Sequence, residues 1–402
     1  MLETAPGKYG SIKENIAKTD ENAERSFISK LLTDRLFILA VFSTIAFAMR
    51  FFLFGWETGD YGFLKTWSSF LGDNGYLSAF QHAFSDYTPL YLYYLAIIAY
   101  FNANLLLWAK LLSVVFDFII AVYIHRIMAI HYKNRPFIAD ASYILVLFIP
   151  TILLNGSMWG QCDSIYSCFM LMSVFYLLTD KKIKALMCFG AAFSLKLQSI
   201  FLLPVFFLYL LDGKLKFSDF FIVPAVYIIT ILPSVIRGAS FIDQLTVYAR
   251  QTNTYTKLFS NFPNIYNWLS DNTILIPFGV FGTLAAVLFL CVIAEKRKLI
   301  RKKLFILEFS YLLTVLIPFL LPRMHDRYLF QADVFAVIYF IGNRNRWYIP
   351  VTTWILSFAA YINYLFGIYP VDFKILAVIY LAAVILLVID ILYKDKKSVQ
   401  VW

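Results

Sequence analysis

The chain has 402 residues, of which 61% are hydrophobic and 15% charged, with a mean hydropathy of +0.71 and a net charge of +10. A soluble globular domain is about 45–50% apolar and about 25% charged. A surplus this large, spread along the whole chain, excludes one oversized core and predicts an all-α polytopic membrane protein.

Residues 1–35 are polar, mixed in charge and lack an apolar h-region, so no secretory signal is expected there. They form a cytoplasmic tail, and the first span, 36–54, directs its own insertion. The first loop outside, 55–88, places Phe63, Trp67, Phe70 and Leu71 at helical spacing, which predicts a helix lying along the interface. Glu57, Asp60, Asp73 and Asp86 flank it, and Asp60 and Asp86 each abut an apolar run at the lipid boundary. Such acids can also be plain solvated loop residues. The apolar stretch "PLYLYYLAIIAYF" (89–101) is too short to span, so it dips into the outer leaflet and returns, while 105–126 crosses.

Further candidate crossings are 136–155, 164–179, 183–196, 198–211, 219–236, 272–294, 303–321, 328–342, 348–366 and 374–393. Several are short, the 183–211 pair above all, so ten to twelve are expected. A second long outer loop, 237–271, carries the polar and aromatic turn "SNFPNIYNW" (260–268), and residues 394–402 form a cytoplasmic tail. With the first tail inside, 25 of the 35 Lys and Arg fall in cytoplasmic segments such as "DKKIK", "EKRKLIRKK" and "NRNR", and 7 fall opposite. That is the positive-inside pattern, and it needs no nucleic acid, since a basic face attracts anionic lipid. The expected setting is a multi-pass plasma membrane protein of bacterial type with its N-terminus in the cytoplasm. The four cysteines, Cys162, Cys168, Cys188 and Cys291, have neither a disulfide framework nor metal-ligand spacing.

Polar residues interrupt the apolar pattern in three further places, all on the outer side. The connector "NGSMWGQCDSIYS" (155–167) holds Asp163, either a helix N-cap or a site carboxylate. "FSLKLQSIFLLP" (193–204) buries Lys196 and Gln198 in apolar sequence; snorkelling accounts for such a lysine, yet an intramembrane cation is by default a functional candidate. "FLLPRMHDRYLF" (319–330) sets Arg323, His325, Asp326 and Arg327 between two apolar runs. Arginine grips phosphate through its planar fork, and histidine can donate or shuttle a proton. Carboxylates facing cations at the membrane surface suit an anionic lipid with a polar head, and a phosphate on a long lipid tail fits best.

"GDYGFLKTW…FSDYTPLYLYY", "WGQCDSIY", "LKLQSIFLLP" and "PRMHDRYLF", in that order, resemble the GT-C superfamily of integral-membrane glycosyltransferases, its mannosyltransferase-like branch in particular. The likeness covers roughly 50–340, and the last two spans are generic. It implies a GT-C-type fold and transfer of a sugar, with inversion, from a polyprenyl-phosphate carrier to a glycan or lipid acceptor on the extracytoplasmic face. It implies catalytic roles for Asp60 and Asp86, and substrate binding by Asp163, Lys196, Gln198, Arg323, His325, Arg327 and Tyr328. Leu197 and Asp326 depart from the residues that relatives often carry, proline and glutamate.

The chemistry stands beside that resemblance. Attack at an anomeric carbon passes through an oxocarbenium-like state while a carboxylate removes the acceptor proton, and the resemblance makes Asp60 the expected base. Lys196, Arg323, His325 and Arg327 form a clamp on the leaving phosphate. An acid-rich first loop can hold a divalent cation, but no ligand set demands one. The alternatives are a flippase or transporter of lipid-linked saccharides, for which Asp117, Glu308, Asp333 and Asp390 within apolar runs speak, and a saccharide polymerase.

Overall fold

The computed structural model describes residues 33–254, 257–302 and 304–393. Most of the expected N-terminal tail and all of 394–402 lie outside the described residues. The chain divides into two compact units, 1–48 and 49–402. In the first, the described part is the beginning of helix α1 (Arg35–Phe52). Asp34 starts it, its carboxylate accepting from the backbone N–H of Leu36 and Phe37.

The second unit opens with the end of α1 and a short loop into α2 (Gly59–Asp73), the amphipathic helix expected there. Leu64, Trp67 and Leu71 are buried on one face while Phe63 is exposed. α3 (Pro89–Tyr100) begins with proline at its first position, where the missing N–H costs nothing. Its 12 residues reach about 18 Å, short of the ~30 Å hydrocarbon layer. α4 (Leu105–His131) has 27 residues and is long enough to cross.

The single crossing expected over 136–155 is instead broken. α5 (Pro136–Leu147) and α6 (Pro150–Leu154), which runs on through a π turn at Asn155–Trp159, meet at 53°. Pro150 is the cause: it lacks the N–H that would continue α5, and it disfavours helical backbone at Ile149, which sits at ψ 123. The break turns residues 155–162 back into the protein.

α7 (Asp163–Leu178) and α8 (Lys182–Phe193) follow; a 3-10 turn, Leu197–Leu202, leads into α9 (Leu203–Leu211), and a second, Phe217–Phe221, into α10 (Ile222–Ile236). Two short helices, α11 (Phe241–Leu245) and α12 (Val247–Thr254), occupy the long loop, where Asn264 and Asn267 cap the turn at Ile265–Trp268. Then come α13 (Leu275–Lys296), α14 (Phe305–Leu320), α15 (Phe330–Gly342), α16 (Tyr348–Phe366) and α17 (Phe373–Val388).

α14 is buried from Phe305 to Phe319 and α15 from Phe330 to Tyr339. Helices apolar on every side belong at the centre, and these two form the core. Among the described residues six helices are long and apolar enough to cross a membrane, or seven if the bent pair counts as one span, with five shorter apolar helices beside them. The protein is an all-α polytopic membrane protein. The strand pairing is minimal: β1 (Phe259–Ser260) lies parallel to β2 (Met324–His325) and ties the long loop to the loop before α15.

Candidate active site

The site is built where four chain breaks meet: the start of α2, the connector 160–162, the turn before Leu197 and the loop 321–329. Lys110 prepares the first. Buried on α4, its ammonium donates to the carbonyls of Leu53, Phe54 and Trp56 (3.2, 3.1 and 2.5 Å). These carbonyls stand just beyond the end of α1, where the i→i−4 ladder has run out and Leu53 O keeps only a turn bond from Trp56 N–H, so the lysine fixes the loop that delivers Asp60. The connector is held against the same helix. Ser113 Oγ donates to Gln161 O at 2.6 Å, and the approach is so close that a Cβ on Gly156 would meet Ser113 Cβ at 2.8 Å. Gly160 turns the chain at φ +79, a conformation glycine adopts without a side-chain clash.

Asp60 is the best-held carboxylate of the site. Its Oδ2 accepts from Trp159 Nε1 (2.9 Å) and Gln161 Nε2 (2.5 Å) and lies 3.4 Å from Arg327 Nη1. Its Oδ1 accepts from the Tyr364 hydroxyl at 2.9 Å. Tyr364 is stacked flat on Trp159, with centroids 4.2 Å apart. A carboxylate offers about four lone-pair sites, so Oδ1 keeps one open, and the side chain stays 25% exposed towards the cavity.

Asp163 is the hub beneath. The structure corrects its reading as an N-cap: Cys162 is the cap and Asp163 the first helical residue, with no capping bond from its side chain to the helix start. Its carboxylate takes the Lys196 ammonium at 2.5 Å and the Asn155 amide at 2.9 Å, and lies 3.6 Å from Arg327 Nε. Asn155 also donates to the Tyr361 hydroxyl. Burial of a charge is costly unless it is paired and hydrogen-bonded, and this network meets both conditions.

The two arginines differ. Arg327 lies between Asp60, Asp163 and, at 3.8 Å, Asp326, over the face of Trp159. Arg323, expected in the same clamp, instead lines a neighbouring apolar groove with Leu197, Ile200, Ile276 and Val280. Its backbone explains this: it sits at φ 63 and donates its N–H to Leu258 O, next to the β1–β2 pairing. Burial, reinforced by Arg327, pushes His325 down to about 4, so it is a neutral ring at neutral pH. As a neutral ring it can donate one hydrogen bond. Burial raises Asp326 to about 7.

One cavity therefore collects Asp60, Asp86, Lys196, Gln198, His325, Arg327 and Tyr328. Asp86 faces it without a hydrogen-bonding partner among the described residues. Its neighbour Thr88 anchors the start of α3 by donating to Ser194 O at 2.6 Å, two residues before Lys196. The apolar groove opens beside the cavity and shares Gln198, Gln251 and Tyr328 with it.

Sequence reading missed Trp159, Gln161 and Tyr364 as the holders of Asp60, Gln251 on α12, and Lys110 as a loop anchor. The span 348–366, taken as generic, supplies both Tyr361 and Tyr364; two tyrosines three residues apart at the end of an apolar helix were the available signal. Among the described residues no group of three or more His, Cys, Asp or Glu is arranged to hold a metal. No protein-family model matches the chain, and no curated protein matches it either.

Proposed function

We propose that this protein is a GT-C-type membrane glycosyltransferase that moves a hexose from a polyprenyl-phosphate carrier to a glycan or lipid acceptor on the extracytoplasmic face of a bacterial-type plasma membrane. The observation that carries the reading is the shared cavity. Two carboxylates, Asp60 and Asp86, face two cations, Lys196 and Arg327, and an apolar groove continues from the same three residues that close the cavity.

In this reaction an acceptor hydroxyl attacks the anomeric carbon as its proton passes to Asp60 through the open lone pair of Oδ1. The bond from that carbon to the phosphate oxygen breaks, and the electron pair leaves on the lipid phosphate. Lys196 and Arg327 stabilise the charge that develops there, and neutral His325 adds a hydrogen bond. Asp86 orients the acceptor. The groove beside Arg323 takes the first units of the polyprenyl chain, a chemistry that its lining of leucine, isoleucine and valine favours.

The acids that spoke for a transporter are engaged in helix packing. Asp117 pairs with Arg50, Asp333 accepts from Thr151 and Ser357, Asn343 donates to Glu308, and Tyr339 and Arg346 hold Asp390. The test supplies a labelled polyprenyl-phosphate hexose and an acceptor preparation to the purified protein. Wild type transfers label, while Asp60→Asn loses at least about 10³-fold in turnover and keeps its donor affinity. Turnover retained in that variant removes Asp60 from the base role. Label crossing a liposome without transfer to any acceptor makes the protein a flippase.

A further inference from the structure

A third opening lies on the far side of α3, away from the charged cavity. Its volume is about 420 Å³, against about 100 Å³ for the cavity and about 190 Å³ for the groove. Tyr76, Tyr93, Tyr100 and Phe101 line it together with Ile97 and one charged residue, Arg237 at the end of α10. No carboxylate lines it. The Arg237 guanidinium has no hydrogen bond or ion pair among the described residues, although its carbonyl is pinned by Gln81.

The walls are built rather than incidental. The Tyr93 hydroxyl donates to Thr230 O (3.1 Å) and accepts from Ser234 N–H (3.0 Å), bridging α10 beside its internal Pro233. Tyr76 is held at φ 58, a costly conformation for an aromatic residue, and its ring meets Tyr100 edge-on at 5.2 Å. Ile97, Tyr100 and Phe101 are 55%, 64% and 72% exposed. Water is a poor cover for such a surface, and in a membrane protein hydrocarbon is at hand.

We propose that this cleft binds a phosphate-bearing bilayer lipid, its phosphodiester on Arg237 and its acyl chains against Ile97, Tyr100 and Phe101. Charge complementarity selects an anion: one unpaired guanidinium in a cleft that no carboxylate lines favours a single phosphate. The apolar walls select a lipid over a free ion. Tyrosines at the rim suit the headgroup level, where an amphipathic ring has one wet end. The site lies outside the transfer chemistry and stands or falls separately from it.

Native mass spectrometry of the purified full chain tests this with dioleoyl phosphatidylglycerol as the probe. Wild type retains one more lipid than Arg237→Gln, whose apparent Kd rises roughly tenfold, the loss of one charge-assisted contact. Ser78→Trp, a change at an exposed lining residue, blocks the cleft and removes the same lipid. Dioleoylglycerol, which lacks the phosphate, shows no difference between wild type and Arg237→Gln. Equal retention of phosphatidylglycerol by wild type and Arg237→Gln overturns the proposal. So does displacement of the lipid by inorganic phosphate, or a dimer that dissociates in either variant.

Discussion

Two clusters of buried charge lie in the same helical body and are used differently. Arg50 and Asp117 face each other at 3.0 Å with both side chains fully buried, and neither lines any of the cavities described above. Around Arg327 the ion pairs are looser, 3.4 to 3.8 Å, the arginine is 18% exposed, and it opens on a cavity. The first cluster is closed: its two charges face each other inside the helix packing, away from those cavities. The second is shared, with one guanidinium divided among three carboxylates, so a ligand that brings its own negative charge finds a cation not fully spent. Intramembrane charge alone does not mark a site; charge left incompletely paired beside a cavity does.

The largest expected effect separates the two clusters. Removing one partner of a closed buried pair strands the other and costs about 3–5 kcal/mol, whereas replacing both with apolar residues is close to neutral. Arg50→Leu therefore lowers thermal stability sharply, and Arg50→Leu/Asp117→Leu recovers most of it, with donor affinity unchanged throughout. Arg327→Met has the opposite signature: donor affinity falls by about 10- to 100-fold, the worth of a charge-assisted contact. Unfolding in detergent and binding of a labelled polyprenyl-phosphate sugar read the two quantities. If Arg50→Leu weakens donor binding in protein that stays folded, the division between closed and shared charge fails.

Of these two clusters, only the shared one was legible in the sequence, and in part. Asp60 and Arg327 are 267 residues apart, yet charge sidedness alone put their loops on one face, and a helix through Phe63, Trp67, Phe70 and Leu71 followed from spacing. What stayed hidden depends on packing. Asp60 is oriented by Tyr364, 304 positions away in a span with no unusual pattern. Nothing in an apolar helix says which tyrosine faces a carboxylate, because lipid-facing and core-facing sides are both apolar. Arg323 and Arg327 look alike in "PRMHDRY", and only a left-handed backbone at Arg323 and its bond to Leu258 send the first into the groove. The break at Pro150 was readable from proline chemistry but masked by continuous hydropathy.

A smaller effect tests how far the shared arginine can be tuned. Asp326 changes charge near pH 7 because burial disfavours its anion. Below that pH it is neutral and leaves Arg327 to the ligand; above it the carboxylate competes for the guanidinium 3.8 Å away. A sugar phosphodiester does not titrate in this range, so donor affinity falls as pH rises from 6 to 8. Asp326→Asn, neutral throughout, flattens that dependence at the tighter, low-pH value. A slope that survives in Asp326→Asn assigns the titration to another group, and His325, already neutral above about 4, is not that group.

The smallest effect concerns a single proton. Tyr364→Phe keeps the ring that stacks on Trp159 and deletes the hydroxyl that donates to Asp60 Oδ1. One hydrogen bond of this kind contributes on the order of 1 kcal/mol net, and Trp159 and Gln161 still hold Oδ2. Turnover therefore falls about three- to tenfold while donor affinity stays put, since the lost bond orients the base and does not touch the phosphate clamp. Tyr364→Ala, which also removes the stack, falls further. Unchanged turnover in Tyr364→Phe would mean that Oδ2 contacts alone fix the carboxylate. A change in donor affinity would mean that α16 reaches the donor, and the separation between a base held by aromatic residues and a clamp held by ion pairs would have to be given up.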